Sequence, residues 1–103
     1  MLKANLILRR DSDDDIKMRN LEVHLDGAWV ADVGYGRSFE TELEAGEHEI
    51  MVTNRMKRVS ATVSLKPGET AVFQGTNVLS KGLSAIIGAF GVVAYHPTLK
   101  RVQ

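Results

Sequence analysis

Apolar and polar residues alternate along the first three quarters of the chain. Leu21, Val23 and Leu25 are separated by polar residues, and residues 59–65 show the clearest alternation. A period of two predicts strands with one face buried and one face in water. We predict seven short strands between residues 2 and 75, with turn signals about every ten residues, as in an antiparallel sandwich or barrel.

Two short segments predict tight turns between these strands. Asp26-Gly27 is a strong hairpin signal because glycine tolerates a positive φ. Residues 66–69 read Lys-Pro-Gly-Glu, which places proline and glycine where a type II turn requires them. The predicted fold is therefore all-β: an immunoglobulin-like antiparallel sandwich of about seven strands, formed by residues 1–76.

Residues 77–103 differ from the rest, and we treat them as a C-terminal segment that packs on the sandwich or on a partner. Within them, residues 83–95 form a run of thirteen without a charge. Gly88 and Gly91 lie inside this run, and Gly82 directly precedes it. As a helix, this run would span about 20 Å, less than the roughly 30 Å of a bilayer core. A short helix or an extra strand is expected.

Several readings of this uncharged segment stay open from the sequence. It could complete the core, contact another copy or a partner protein, or lie at a membrane surface as an interfacial or marginal anchor. Left exposed, its large apolar side chains would form a patch that monomers rarely tolerate. The predicted interaction residues are Leu83, Ile86, Ile87, Phe90, Val92 and Val93.

The length and the amino-acid composition exclude several classes of protein. The chain has 103 residues, 13 basic and 13 acidic residues and no cysteine. This length suits one domain. A disulfide scaffold and a cysteine-based zinc finger require cysteine. The amino terminus lacks the apolar run of a signal peptide, so we expect a cytoplasmic location, with membrane association as an alternative.

The acidic stretch at residues 11–15 is the principal metal candidate. Asp11, Asp13, Asp15 and Glu22 occupy positions 1, 3, 5 and 12 of a calcium-loop spacing. Position six is Ile16, where that loop requires glycine, so a solvated acidic loop is the favoured interpretation. We therefore assign no metal and no cofactor.

Other chemistry has weaker support. The three histidines lie far apart in the sequence, and the serines lack a nucleophile-elbow context, so we expect no enzyme activity. Arg55, Lys57 and Arg58 cluster in one predicted turn. Trp29, Phe39 and Phe73 are expected in the core, which leaves few aromatics for stacking on bases, and we expect no nucleic-acid partner.

Residues 21–73 carry three turn-and-strand motifs in order. They are Val-His-Leu-Asp-Gly at 23–27, Glu-Ala-Gly-Glu-His-Glu-Ile at 44–50 and Leu-Lys-Pro-Gly-Glu at 65–69. This pattern resembles the PEGA-type and carboxypeptidase-regulatory-like β-sandwich modules of bacteria. The resemblance covers about half of the chain and implies a β-sandwich that serves as a binding or spacer domain, often in envelope or membrane proteins, without catalytic residues.

We therefore expect a non-catalytic structural or protein-interaction module that self-associates or binds a protein partner through its uncharged segment. The first alternative is a membrane-proximal, envelope-associated module. The second is a small domain that binds a ligand or a metal.

Overall fold

A computed structural model describes residues 2–79 and 95–103, and every described element is a β-strand. The strands are β1 (Lys3–Arg9), β2 (Leu21–Leu25), β3 (Ala28–Val33), β4 (Ser38–Glu44), β5 (Gly46–Thr53), β6 (Arg58–Leu65), β7 (Thr70–Leu79) and β8 (Tyr95–Arg101). The all-β prediction is confirmed. The described chain has eight strands, one more than the alternation predicts.

The strands form two sheets of four. The first sheet has the order β4-β1-β7-β8, and the second has the order β3-β2-β5-β6. All pairs are antiparallel except β1 with β7, which is parallel from Asn5 beside Thr70 to Arg9 beside Gln74. Each sheet therefore contains strands that are distant in sequence, as expected of a sandwich.

The two sheets pack against each other through the residues that alternate inward. The core combines side chains from five strands: Ala4, Leu6, Leu8, Val23, Leu25, Ile50, Val52, Val63, Leu65, Ala71 and Phe73, together with Val33 at the end of β3. Their polar sequence neighbours face outward, so the period of two correctly identifies the buried face.

Trp29 is not a core residue, contrary to the sequence expectation. Its side chain is 57% exposed, and its indole N–H donates to Asp32 Oδ1 at 3.1 Å. It lies on β3, an edge strand, just after the Asp26-Gly27 turn. Phe73 is buried and Phe39 is partly buried, as expected.

Both predicted tight turns are present. Asp26 and Gly27 have φ values of 51° and 86°, the pair of positive angles that a type I′ hairpin requires. Gly68 has φ 78°, and the Glu69 N–H donates to the Lys66 carbonyl at 3.0 Å. These turns lie at one end of the sandwich, because β2 and β6 both run toward it.

Strand β7 continues five residues past Gln74, although apolar and polar residues no longer alternate regularly in that part of the sequence. Its partner is β8, paired from Phe73 beside Arg101 to Leu79 beside Tyr95. Residues 77–79 and 95–101 are thus integral to the first sheet. In the part of the chain described here, no helix has the length and apolar character that crossing a bilayer requires.

Candidate interaction surface

Two loops at the opposite end of the sandwich from the tight turns have the same short sequence pattern. The β1–β2 loop contains Lys17-Met18-Arg19, and the β5–β6 turn contains Arg55-Met56-Lys57. All six residues are exposed, and the two methionines are 53% and 51% exposed. We call these six residues the tip surface. Each half presents one large apolar side chain between two cations.

The backbone of the tip surface adopts a conformation that its side chains disfavour. Lys17, Arg19 and Arg55 have φ values of 62°, 56° and 74°, in the left-handed region. The fourth described non-glycine residue with a positive φ is Asp26, in the hairpin turn. A non-glycine residue in this region costs on the order of 1 kcal/mol and persists where surrounding contacts impose it.

The Arg10 side chain, which is fully buried, imposes the shape of the first loop. Its Nε and Nη2 donate to the two oxygens of Asp15, at 2.9 and 3.1 Å. Its remaining N–H groups donate to the carbonyls of Met18, Arg19 and Val33. All five guanidinium donors are satisfied, and two of them hold the backbone of the tip surface.

Asp15 completes this buried ion pair and also supports the loop. Its Oδ1 accepts the Lys17 N–H at 2.7 Å, and its Oδ2 accepts the Asn77 N–H at 3.2 Å. Burial acts to raise the pKa of Asp15, but the hydrogen bonds from Arg10, Lys17 and Asn77 outweigh it, and the pKa lies below 3.8. The carboxylate is therefore charged and fully engaged.

Two buried asparagines connect the first loop to the second. Asn77 Nδ2 donates to the Met18 carbonyl at 3.2 Å, and Asn77 Oδ1 accepts from Asn54 Nδ2 at 3.1 Å. Asn54 Oδ1 accepts the N–H groups of Met56 and Lys57, at 2.9 and 2.8 Å. One buried polar network, formed by Arg10, Asp15, Asn77 and Asn54, thus fixes both halves of the tip surface.

A cleft of about 180 Å³ lies between the two halves and is lined by Arg19, Asn20, Glu22, Asp32, Asn54 and Arg55. Glu22 forms an ion pair with Arg55 and lies 3.6 Å from His24 Nε2. Two cations and two carboxylates share the cleft, so its charge is balanced. Lys17, Lys57 and the two methionines extend the surface beyond it.

The calcium candidates do not converge. Asp15 pairs with Arg10, Asp11 accepts from Gln74 Nε2 at 2.8 Å, and Asp13 is exposed. Glu22, the fourth residue of that spacing, is engaged by Arg55. Among residues 2–79 and 95–103, no three histidine, aspartate or glutamate side chains are grouped to hold a metal ion. The acidic loop is not simply solvated, because Asp15 is buried.

The predicted interaction residues Leu83, Ile86, Ile87, Phe90, Val92 and Val93 lie outside the described residues. Their place in the chain is nevertheless informative. They belong to the connection between β7 and β8, and β7 ends just beyond Asn77, which holds Met18. The uncharged segment is therefore joined to the sandwich at the end that carries the tip surface.

A second polar cluster occupies the opposite end. His48 Nδ1 lies 2.7 Å from Asp26 Oδ2, and His48 Nε2 lies 2.7 Å from the Glu44 carbonyl. The hydrogen bonds to Asp26 and to Glu44 raise the pKa of His48 above 6.5, because both acceptors favour the doubly protonated ring. The histidine therefore stabilises the hairpin at Asp26.

Sequence reasoning missed the tip surface, although a signal was present. Lys-Met-Arg and Arg-Met-Lys are the same pattern in reverse, and each stands in a polar loop where a large apolar residue is unexpected. Arg10 also follows a strand directly, in a position that gives no hint of burial. The buried network depends on contacts between residues up to 62 apart in the sequence.

Comparison of this chain with protein-family models, with curated proteins and with solved structures finds no match. The geometry of the tip surface and its supporting network is therefore the basis for assigning a function.

Proposed function

We propose that this protein is a non-catalytic interaction module that binds through the end of the sandwich bearing the tip surface. The observation that carries the proposal is the buried network beneath that surface. A fully buried arginine–aspartate pair holds exposed loop residues in disfavoured backbone conformations. Local strain of this kind concentrates at binding and switch regions.

The ion pair supports a role beyond stability. A buried ion pair is often no more stabilising than apolar residues of similar volume, because both charges lose their hydration. Here the guanidinium also fixes the Met18 and Arg19 carbonyls, which apolar residues could not do. The network therefore defines loop geometry, and a binding surface requires a defined geometry.

The attached uncharged segment supplies the proposed contact. Leu83, Ile86, Ile87, Phe90, Val92 and Val93 are proposed to meet a second copy of the chain or a partner protein. They are joined to β7 and β8 at the end that carries Met18 and Met56. We place the module among immunoglobulin-like, PEGA-like sandwiches, and the cytoplasm is its proposed compartment.

Sedimentation velocity tests this proposal. The full chain is compared with a variant in which residues 82–93 are replaced by a short Gly-Ser connector, which keeps β7 and β8. We expect the full chain to exceed its monomer mass of 11.3 kDa as concentration rises, and the variant to stay monomeric. A monomeric full chain at every concentration would overturn self-association as the mode of binding.

A membrane-proximal role is the second candidate function. It is favoured by a specific feature of the tip surface, the placement of each exposed methionine between two cations.

A further inference from the structure

We infer that the tip surface binds the headgroup region of a bilayer that contains anionic phospholipids. In this inference Met18 and Met56 enter between the headgroups, while Lys17, Arg19, Arg55 and Lys57 lie at the level of the phosphates. It rests on the tip end being a binding surface and does not require self-association.

The first argument is the combination of side chains. A methionine on the surface of a soluble domain is ordinary, but here two are exposed by about half at one end, each with a cation on both sides. An interfacial contact needs this combination, since apolar groups enter the acyl boundary while amines and guanidinium groups stay with the phosphates. Methionine adapts to an irregular apolar environment because its side chain is unbranched and flexible.

The second argument is the geometry of presentation. The side chains lie on loops whose backbones are fixed by Arg10, Asp15, Asn77 and Asn54. Lys17 is further held over the ring of Tyr35, with Nζ 5.0 Å from the centroid. Two fixed points of contact at one end orient the long axis of the strands toward the bilayer without requiring shape complementarity from it.

The third argument is the placement of the acidic residues. Asp14 lines a groove on the outer face of the first sheet with Ser12, Gln74 and Lys100, to one side of the tip surface. Asp11 is directed to Gln74 on the same sheet. Glu22 is paired with Arg55. Asp11 and Asp14 are thus displaced toward one face, whereas Glu22 and Asp32 share the cleft with Arg19 and Arg55, and Asp13 is exposed on the first loop. The six tip residues themselves carry four positive charges and no negative charge.

The fourth argument is the continuity of the chain. β7 ends and β8 begins at this same end, so the part of the sequence that contains the uncharged run is joined to the sandwich beside the tip surface. A bilayer suits both an uncharged sequence and exposed methionines. An acidic protein would match the cations, but it would need a complementary apolar surface for each methionine.

Flotation with lipid vesicles tests the inference on the full chain. Vesicles of mixed phosphatidylglycerol and phosphatidylcholine are compared with vesicles of phosphatidylcholine alone, at low and at high salt. We expect binding to the anionic vesicles that weakens at high salt. Each cation near an anionic surface contributes about fivefold to the partition coefficient, so Lys17→Gln with Lys57→Gln is expected to reduce binding about 25-fold.

The opposite end of the sandwich supplies matched controls. Lys3 and Lys66 are exposed there, and Leu2 is 68% exposed. Lys3→Gln with Lys66→Gln removes the same charge, and Leu2→Gln removes an exposed apolar side chain. These controls should bind as the unaltered chain does, whereas Met18→Gln with Met56→Gln should lose about tenfold or more. Circular dichroism melting verifies that each variant is folded.

Three results would overturn the inference. The first is no flotation with anionic vesicles. The second is flotation that the tip variants and their controls reduce equally, which would assign binding to other residues. The third is binding to poly-glutamate without binding to vesicles, which would assign the tip surface to an acidic protein. If one variant fails to fold, the other tip variant and the salt and lipid comparison on the unaltered chain still test the inference. Because self-association is measured separately by sedimentation, failure of one proposal is distinguishable from failure of the other.

Discussion

The Met18 carbonyl and the Met56 N–H are linked through two buried side chains. Asn77 Nδ2 donates to the first, Asn54 Oδ1 accepts from the second, and the two amides bond to each other at 3.1 Å. The loops that carry these methionines are 38 residues apart in the sequence, yet one hydrogen-bonded path sets the position of both. The tip surface is therefore a single unit.

This link predicts that Asn77→Ala disturbs both loops. The substitution removes the bond to Met18 and leaves the Asn54 amide without that partner, at a cost of about 2 kcal/mol in unfolding free energy. We expect the backbone amide resonances of Lys17 to Arg19 and of Arg55 to Lys57 to shift together. Shifts confined to one loop would show that the loops are independent. Gln74→Ala, on the same strand, is the control and should leave the second loop unchanged.

The buried ion pair predicts that substitutions of its two members are not additive. Asp15→Asn leaves a buried guanidinium without its counter-charge and should cost about 3–5 kcal/mol. Arg10→Met combined with Asp15→Leu should cost less than the sum of the two single substitutions, because each single substitution already breaks the shared pair. Urea denaturation measures each value, and costs that add would contradict the assignment.

The surface ion pair between Arg101 and Glu69 serves as a comparison for the buried pair between Arg10 and Asp15. Arg101 Nη2 lies 3.1 Å from Glu69 Oε2, and both side chains are about one-third exposed. Arg101→Met should cost less than about 1 kcal/mol, because solvent screens the pair.

The positive φ at Lys17 predicts how substitutions there rank. Lys17→Gly relieves the left-handed strain, whereas Lys17→Val places a β-branched side chain in a conformation it strongly disfavours. We expect the valine variant to be less stable than the glycine variant by at least about 1 kcal/mol. Thermal denaturation measures the difference. At Ser60, within β6, the order should reverse because valine favours strands.

The His48–Asp26 pair predicts a pH dependence of stability with a defined sign. The pKa of His48 is raised above 6.5, so its contribution is complete below that pH and is lost as pH rises through the folded pKa. The hydrogen bond from His48 and the bond from the Glu49 N–H lower the pKa of Asp26 below 3.8, so the contribution of the aspartate is lost in strong acid. The pair therefore stabilises the fold most between these two ranges.

His48→Gln tests this dependence. The difference in melting temperature between the unaltered chain and the variant should be largest near about pH 5 and should shrink as the pH rises through the raised pKa of His48. His24→Gln is the control, since His24 Nε2 lies 3.6 Å from Glu22, whereas the partner of Asp26 is His48. A difference that does not change with pH would exclude a charged His48.

The sheet structure was accessible from the sequence because its cause is local. Alternation places Leu6, Val23 and Val63 inward whatever their partners are, and Asp26-Gly27 forms its turn from its own conformational preferences. The end of β7 was harder to predict. Residues 75–79 read Gly-Thr-Asn-Val-Leu, which lacks clean alternation because Asn77 faces inward to the polar network.

The candidate site was less accessible because its cause is tertiary. Asp11, Asp13 and Asp15 would have equivalent roles as ligands in a calcium loop. In the fold, however, the buried Arg10 guanidinium pairs with Asp15. Trp29 has the largest apolar side chain in β3, yet it is exposed because β3 is an edge strand. The burial of Arg10 follows from three backbone carbonyls and a carboxylate that only the folded chain brings together.

The four methionines provide the most direct measurement of the central claim, that binding occurs through the tip surface. Met18 and Met56 lie on it, whereas Met51 lies within β5 and Met1 is outside the described residues. Methyl NMR of the ¹³C-labelled chain with small anionic bicelles, with and without a paramagnetic headgroup lipid, reports which methionines approach the bilayer. The account predicts strong relaxation of the Met18 and Met56 methyls and little at Met51. Equal relaxation of Met51, or none at Met18 and Met56, would contradict it.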